Sequence, residues 1–250
     1  MNAHNVIITG AAKGIGAACT AEFLEQGYNV LAVDIDSQSL QALQDKHQTN
    51  RLYTAEIDIG TPEAPKAITQ LMNEQFGAVG VLVNNAGIAP KRAERADDIT
   101  NISYEEWSRI IHINLSSAAF LCQAALRDMA QAGWGRIINV ASSGGRTRAL
   151  GPVGPAYMAS KAGMLGLTRN IASEMGKKNI TANVVAPGRI DTTLSATSGA
   201  SVTQEYAKLV PVGRTGKPHE VAAAVVFLAS KKASFITGAC IDVNGGMFML

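Results

Sequence analysis

Short runs of valine, isoleucine, leucine and alanine recur along this chain, each followed by a stretch whose apolar residues return at helical spacing. Strand-like runs are residues 5–9, 29–33, 52–58, 80–84, 136–140, 181–186 and 239–243; helical patterns fill 14–26, 37–46, 63–76, 104–131, 156–178 and 219–229. The strand runs are apolar throughout rather than alternating, as parallel strands covered on both faces are. Regular alternation of strand and helix predicts an α/β fold, a doubly wound parallel sheet of about seven strands with helices on both faces and right-handed crossovers. No repeat, low-complexity tract or linker interrupts the pattern, so residues 1–250 are expected to form a single domain. Ligands bind such sheets beyond the carboxyl ends of the strands, which makes the polar residues there the candidates for chemistry.

Composition narrows the choice. With 47% hydrophobic and 17% charged residues the chain can bury a sizeable core. A formal net charge of +2 without a Lys/Arg run gives no reason to expect nucleic acid. No apolar stretch approaches the roughly 18 residues of a membrane span. Met1 to Asn5 lead straight into the first strand, leaving no room for a signal peptide, so a cytoplasmic location is expected. Cys19, Cys122 and Cys240 form no CxxC, and His4, His47, His112 and His219 show no metal-ligand spacing, so no metal is expected.

The polar residues at the strand ends carry the chemistry. After the first strand stands Gly10-Ala11-Ala12-Lys13-Gly14-Ile15-Gly16, a glycine-rich turn opening a helix. Such a turn lets backbone approach a ligand closely and turns a helix N-terminus toward a phosphate. Its spacing is G-x-x-x-G-x-G rather than the common G-x-G-x-x-G. Tyr157 and Lys161 stand four apart on a helical pattern and therefore on one face. A nearby ammonium favours the phenolate, so Lys161 is expected to lower the Tyr157 pKa and make the tyrosine a proton donor and acceptor. Asn114 falls inside a helical pattern, where asparagine is intrinsically unfavourable. A serine-nucleophile hydrolase is excluded, because no G-x-S-x-G elbow is present.

Taken in order, Thr9-Gly10-Ala11-Ala12-Lys13-Gly14-Ile15-Gly16, Asn84-Asn85-Ala86-Gly87, Asn114, Ser142, Tyr157 to Lys161, and Pro187-Gly188-Arg189-Ile190-Asp191-Thr192 resemble the short-chain dehydrogenase/reductase family. The resemblance runs from Val6 to the Gly245-Gly246 pair. It implies a Rossmann-like sheet, a nicotinamide cofactor, and interconversion of a secondary alcohol and a ketone. It also implies a catalytic set of Asn114, Ser142, Tyr157 and Lys161, with Ser143 as the alternative to Ser142. The implied cofactor residues are Gly10, Ala12, Lys13, Gly14, Ile15, Gly16, Asp34, Ile35, Asp58, Ile59, Asn85, Ala86, Gly87, Pro187, Gly188, Ile190 and Thr192, with Tyr157 and Lys161.

Asp34, closing the second strand, could accept hydrogen bonds from the adenosine ribose and repel a 2′-phosphate, which favours NAD. Lys13 pulls toward NADP. The substrate is expected to be a small polar molecule, a sugar, polyol or hydroxy acid, met by the segments 88–102, 144–156 and 189–210. Their basic residues are Lys91, Arg92, Arg95, Arg146, Arg148 and Arg189, with Glu94, Asp97 and Asp98 available to pair with some. Arg146, Arg148 or Arg189 could hold an anionic group. The alternative is a 3-oxoacyl-[acyl-carrier-protein] reductase-like enzyme using NADPH. Helical stretches 104–131 and 156–178 carry small or apolar residues on more than one side: Ala118, Ala119, Cys122, Ala162, Met164 and Leu167. With the apolar C-terminal tail they predict a homotetramer, with a dimer as the alternative.

Overall fold

The computed structural model describes residues 4–90, 96–147, 153–192, 195 and 200–249. Lys91, Arg92, Glu94, Arg95 and Arg148, named in the expectations above, lie outside them, as does the last residue of the C-terminal tail, Leu250. Seven strands form one parallel sheet in the order β3-β2-β1-β4-β5-β6-β7. They are β1 Asn5–Thr9, β2 Asn29–Asp34, β3 Leu52–Glu56, β4 Val81–Asn84, β5 Gly135–Val140, β6 Ile180–Pro187 and β7 Cys240–Val243. The helices are α1 Gly14–Glu25, α2 Ser37–His47, α3 Ala64–Gln75, α4 Tyr104–Ile111, α5 Ser117–Ala132, α6 Pro155–Met175, α7 Ala200–Leu209 and α8 Pro218–Ala229.

Successive strand residues point to opposite faces, so a strand apolar throughout builds two cores. Along β1, Val6 and Ile8 join Phe23, Val221 and Val225 under α1 and α8. Ile7 joins Ile68, Met72, Leu121 and Met129 under α3 and α5. All of these are fully buried. Chain order reverses between β1 and β4, and the first two connections run opposite to the later ones. This opens a crevice at the carboxyl edge, where such folds take ligands. Local signals start the helices: the Asp36 carboxylate accepts from Ser39 N at the head of α2, and the Ser103 hydroxyl from Glu106 N at the head of α4.

Three differences from the sequence pattern matter. The single helix expected over 104–131 is broken by a π-helical turn, His112–Ser116, where the Ser117 hydroxyl donates back to the His112 carbonyl at 3.0 Å. Helix α7 falls where only a variable loop was foreseen. Strand β3 ends at Glu56, so Asp58 and Ile59 sit in the following turn, where Asp58 Oδ1 accepts from Gly60 N. Of the residues behind the assembly expectation, Ala162 is exposed and Ala119 and Leu167 are half-buried. Ala118, Cys122 and Met164 are buried beneath their own sheet; the exposed large apolar residue of α5 is Phe120.

Candidate active site

A cleft of about 510 Å³ runs along the carboxyl edge of the sheet. Of the expected cofactor residues, Gly10, Lys13, Gly14, Ile15, Asp34, Ile35, Asp58, Ile59, Asn85, Ala86, Gly87, Pro187, Gly188, Ile190 and Thr192 line it, together with Ser142, Tyr157 and Lys161. Ala12, Gly16 and Asn114 do not line it. Ala12 is turned under Asp34, and its N–H donates to Asp34 Oδ2 at 2.9 Å. Gly16 lies beneath the turn, where a Cβ would stand 2.0 Å from the Gly10 carbonyl oxygen.

The turn after β1 is built so that backbone faces the cleft. Gly10 has φ +62°, and a Cβ there would meet Ala86 Cα at 2.8 Å. Asn85 fixes this approach, donating from Nδ2 to the carbonyls of Thr9 at 3.0 Å and Gly10 at 2.9 Å. The Thr9 hydroxyl accepts from Asn85 N and Ala86 N; nothing in the sequence reading singled out this role. Helix α1 then begins at Gly14 with no side chain capping it and no acidic residue in its first turn. Its first N–H groups and the positive end of its dipole are left for an anion. This donor set fits a nucleotide pyrophosphate.

Asp34 lies across the turn. Oδ2 holds Ala12 N, and Oδ1 accepts from Ile35 N at 2.8 Å and Asp36 N at 3.1 Å. Each carboxylate oxygen has a second acceptor site, so the group can still take ribose hydroxyls. Lys13 is drawn away: its Nζ pairs with Asp36 Oδ2 at 2.5 Å. That bond holds the Asp36 carboxyl at about 2, well below the usual range, and raises the Lys13 ammonium. The sequence reading weighed Lys13 without its partner.

At the other end of the cleft Tyr157 is half-buried on the first turn of α6, and the nearby Ser142 hydroxyl favours its phenolate form. The same Ser142 oxygen accepts from Gly144 N at 3.1 Å. Ser142 and Ser143 both line the cleft, and of the two it is Ser142 that acts on the phenol. Lys161 is buried one helical turn on, with Nζ 5.8 Å from the Tyr157 ring centroid and donating to the Val140 carbonyl at 2.9 Å. The expected lowering of the tyrosine by this lysine is not found. Burial pushes the phenol above its usual value, opposed only by Ser142. Burial also pulls the Lys161 ammonium down to about 8, leaving it mainly protonated at neutral pH.

Asn114 occupies the π-helical turn and spends its amide on structure. Oδ1 accepts from Ile88 N at 2.8 Å, and Nδ2 donates to Ile88 O at 3.0 Å and Ser160 Oγ at 3.2 Å. Single π turns recur at functional sites; this one lets an asparagine leave the helix surface and hold the segment after β4. His112 bonds through Nε2 to the Gly60 carbonyl at 2.7 Å. Asn84 is buried off the cleft, donating to Asn139 Oδ1 at 2.9 Å.

The basic candidates separate. Arg146 is paired with Asp242 on β7 and does not line the cleft. Arg189 does line it, donating from Nη2 to Ser195 O at 2.8 Å and Thr203 Oγ1 at 2.9 Å. Tyr206 on α7 completes that wall, its hydroxyl accepting from Arg189 N at 3.1 Å. The sequence gave no signal for Tyr206, since helix α7 itself was not expected.

Comparison with known proteins agrees with this geometry. The enoyl-(acyl carrier protein) reductase family profile matches residues 10–248. The 3-oxoacyl-[acyl-carrier-protein] reductase of Vibrio cholerae is 40% identical over 247 residues, covering 98% of this chain and 97% of its own. The enzyme of the same name from Chlamydia trachomatis is 38% identical over 244 residues, 96% of each chain. A crystal structure of the Brucella melitensis 3-oxoacyl-[acyl-carrier protein] reductase superposes with TM-score 0.92 at 32% identity, over 100% of this chain and 94% of that one. A second, with bound NAD, gives TM-score 0.89 at 32% identity over 99% and 92%. Relatives at this level, aligned almost end to end, place the chain in the short-chain dehydrogenase/reductase family, the nicotinamide-dependent oxidoreductases of carbonyl and CH–OH groups.

Proposed function

We propose that the protein reduces the keto group of a 3-oxoacyl thioester, and oxidises the matching alcohol, with NAD(H) in preference to NADP(H). The whole chain, residues 1–250, acts as one dinucleotide-binding and catalytic unit. The observation that carries the reaction is Ser142 and Tyr157 gathered beside the buried Lys161, at one end of a cleft whose other end is the glycine-rich turn. The relatives' names support the thioester over the sugar or polyol expected from the sequence. The Asp34 carboxylate supports NAD, because it would face the 2′-phosphate of NADP while Lys13 is held by Asp36.

The bound nicotinamide supplies or accepts the hydride. The Gly10–Gly16 turn and the head of α1 would hold the pyrophosphate, Asp34 the adenosine ribose, and Ile35, Asp58 and Ile59 would border the adenine. Ile190 and Thr192 would meet the carboxamide, and Lys161 would hold the nicotinamide ribose hydroxyls. Ser142 donates a hydrogen bond to the substrate oxygen, and the Tyr157 hydroxyl gives that oxygen its proton. Asn114 keeps the π-helical turn open and anchors a water relay that restores the proton from solvent. Exposed Phe120 on α5, and Phe227 and Phe235 at and beyond the end of α8, support a homotetramer.

A second reading, a small hydroxy acid, draws on Arg189, a cleft guanidinium with no ion-pair partner among the described residues. Initial rates on an acetoacetyl thioester and on free 3-hydroxy acids, each with both cofactors, test the two readings. Faster turnover of the thioester with NADH is expected. Turnover of the free acids alone, or a preference for NADPH, would overturn the corresponding half of the proposal.

A further inference from the structure

Arg146 was a candidate for substrate recognition, and the fold gives it other work. The chain leaves β5 through Ser142 and a single 3₁₀ turn, Ser143–Gly145. Gly145 N bonds Ser142 O at 3.0 Å, Arg146 N bonds Ser143 O at 3.0 Å, and Thr147 N reaches the same carbonyl at 3.2 Å. So short a turn, with poor hydrogen-bond geometry, does not hold its place unaided. Two outside supports hold it. On one side the backbone of Gly145 lies against α6, where a Cβ would stand 2.6 Å from Lys161 C and 2.8 Å from Ala162 N. On the other, the Arg146 guanidinium pairs with Asp242 on β7, ninety-six positions away, and lies 5.1 Å from the centroid of the Phe248 ring.

This clasp is shielded: the Arg146 side chain is 9% exposed and that of Asp242 24%. The second Asp242 oxygen is buried with no hydrogen-bond partner among the described residues, so the carboxylate depends on Arg146. Breaking a shielded pair strands the remaining charge and forces local rearrangement. The element free to move here is the turn that carries Ser142.

We propose that Arg146 is a positioning residue: through Asp242 and Phe248 it ties the Ser142 turn to the C-terminal strand and tail, and so sets the Ser142 hydroxyl against Tyr157. The inference rests on the proposed roles of Ser142 and Tyr157. It makes the C-terminal residues part of the active-site scaffold.

The test is epistasis, in acetoacetyl thioester reduction with NADH. Arg146→Gln should lower kcat by about 10–100-fold, the scale of a misplaced catalytic group, with NADH affinity by fluorescence changed less than about twofold. Arg146→Lys should recover part of the loss. In a Ser142→Ala background, where only a residual rate remains, Arg146→Gln should cost nothing further. An equal loss in both backgrounds, or an unchanged kcat beside a lowered melting temperature, would overturn the positioning role. Should Arg146→Gln fail to fold, Phe248→Leu is read in the same way: a several-fold loss that disappears in Ser142→Ala supports the clasp, and any other pattern refutes it. A Ser142→Ala enzyme of full activity would defeat the reading on which the clasp depends, an outcome distinct from an active Arg146→Gln enzyme beside an impaired Ser142→Ala.

Discussion

At the glycine-rich end of the cleft side chains serve the backbone, while at the tyrosine end the backbone holds side chains in place. Asn85, Thr9 and Asp34 spend their hydrogen bonds on main-chain groups of the turn, leaving the N–H groups at the head of α1 to face a ligand. The carboxylates gather here: Asp34 and Asp58 line the cleft, with Asp36 just beyond. An anionic nucleotide would therefore be bound by backbone dipoles in acidic surroundings, and a cation is not what recruits it. At the other end Ser142, Tyr157, Lys161 and Arg189 offer hydroxyls and positive charge, and main-chain atoms such as Val140 O and Gly144 N fix their directions. Binding and chemistry should accordingly fail separately when either end is damaged.

The largest separation is expected from Tyr157→Phe. Removing the proton donor should lower kcat by about 10³-fold, within the usual range for general acid–base catalysis, with NADH affinity by fluorescence titration nearly unchanged. A variant that kept a tenth of the original rate, or that lost NADH, would break the division between the two ends.

A smaller effect should come from the nucleotide end alone. Asp34→Ser removes the charge facing a 2′-phosphate and should shift the ratio of kcat/KM with NAD to that with NADP by about tenfold toward NADP, ~1.4 kcal/mol. Rates with saturating NAD should stay close to those of the parent. An unaltered ratio would mean that Asp34 only supports the turn.

The smallest effect concerns stability. Burial lowers the Lys161 ammonium to about 8 from its ordinary 10.5, so between those values the unfolded chain binds more protons and stability rises with pH. Lys161→Met abolishes that rise. The melting temperature of the parent relative to the variant should therefore increase from pH 7 to pH 10, on the scale of about 2–4 °C per kcal/mol for a chain of this size. A difference that stays flat, or falls, would show that the lysine is not held in a site that disfavours its charge.

Much of this architecture was legible before any coordinates. All seven strand runs appear in the sheet, and in the five inner strands burial on both faces writes itself into the sequence as continuous apolar residues. Most expected cleft residues line the cleft, because they sit on short motifs at strand ends, where neighbours in sequence are neighbours in space. What was missed depended on partners far along the chain. Lys13 was weighed as a pull toward NADP without the Asp36 that pairs with it, and Arg146 as one candidate for an anionic group without Asp242. The π turn at Asn114 follows from the fit of one amide to the Ile88 backbone, which no helical period reveals.

The sequence by itself determined the order of elements, the two-faced core and the chemical types that line the cleft, since these follow from local periodicity and motif spacing. Only the tertiary structure decided how those groups are charged and aimed. Whether Lys161 lowers Tyr157, or burial raises it, turns on the distance between them and on the water each has lost. Desolvation is set by everything packed around a group, and no four-residue spacing can report it.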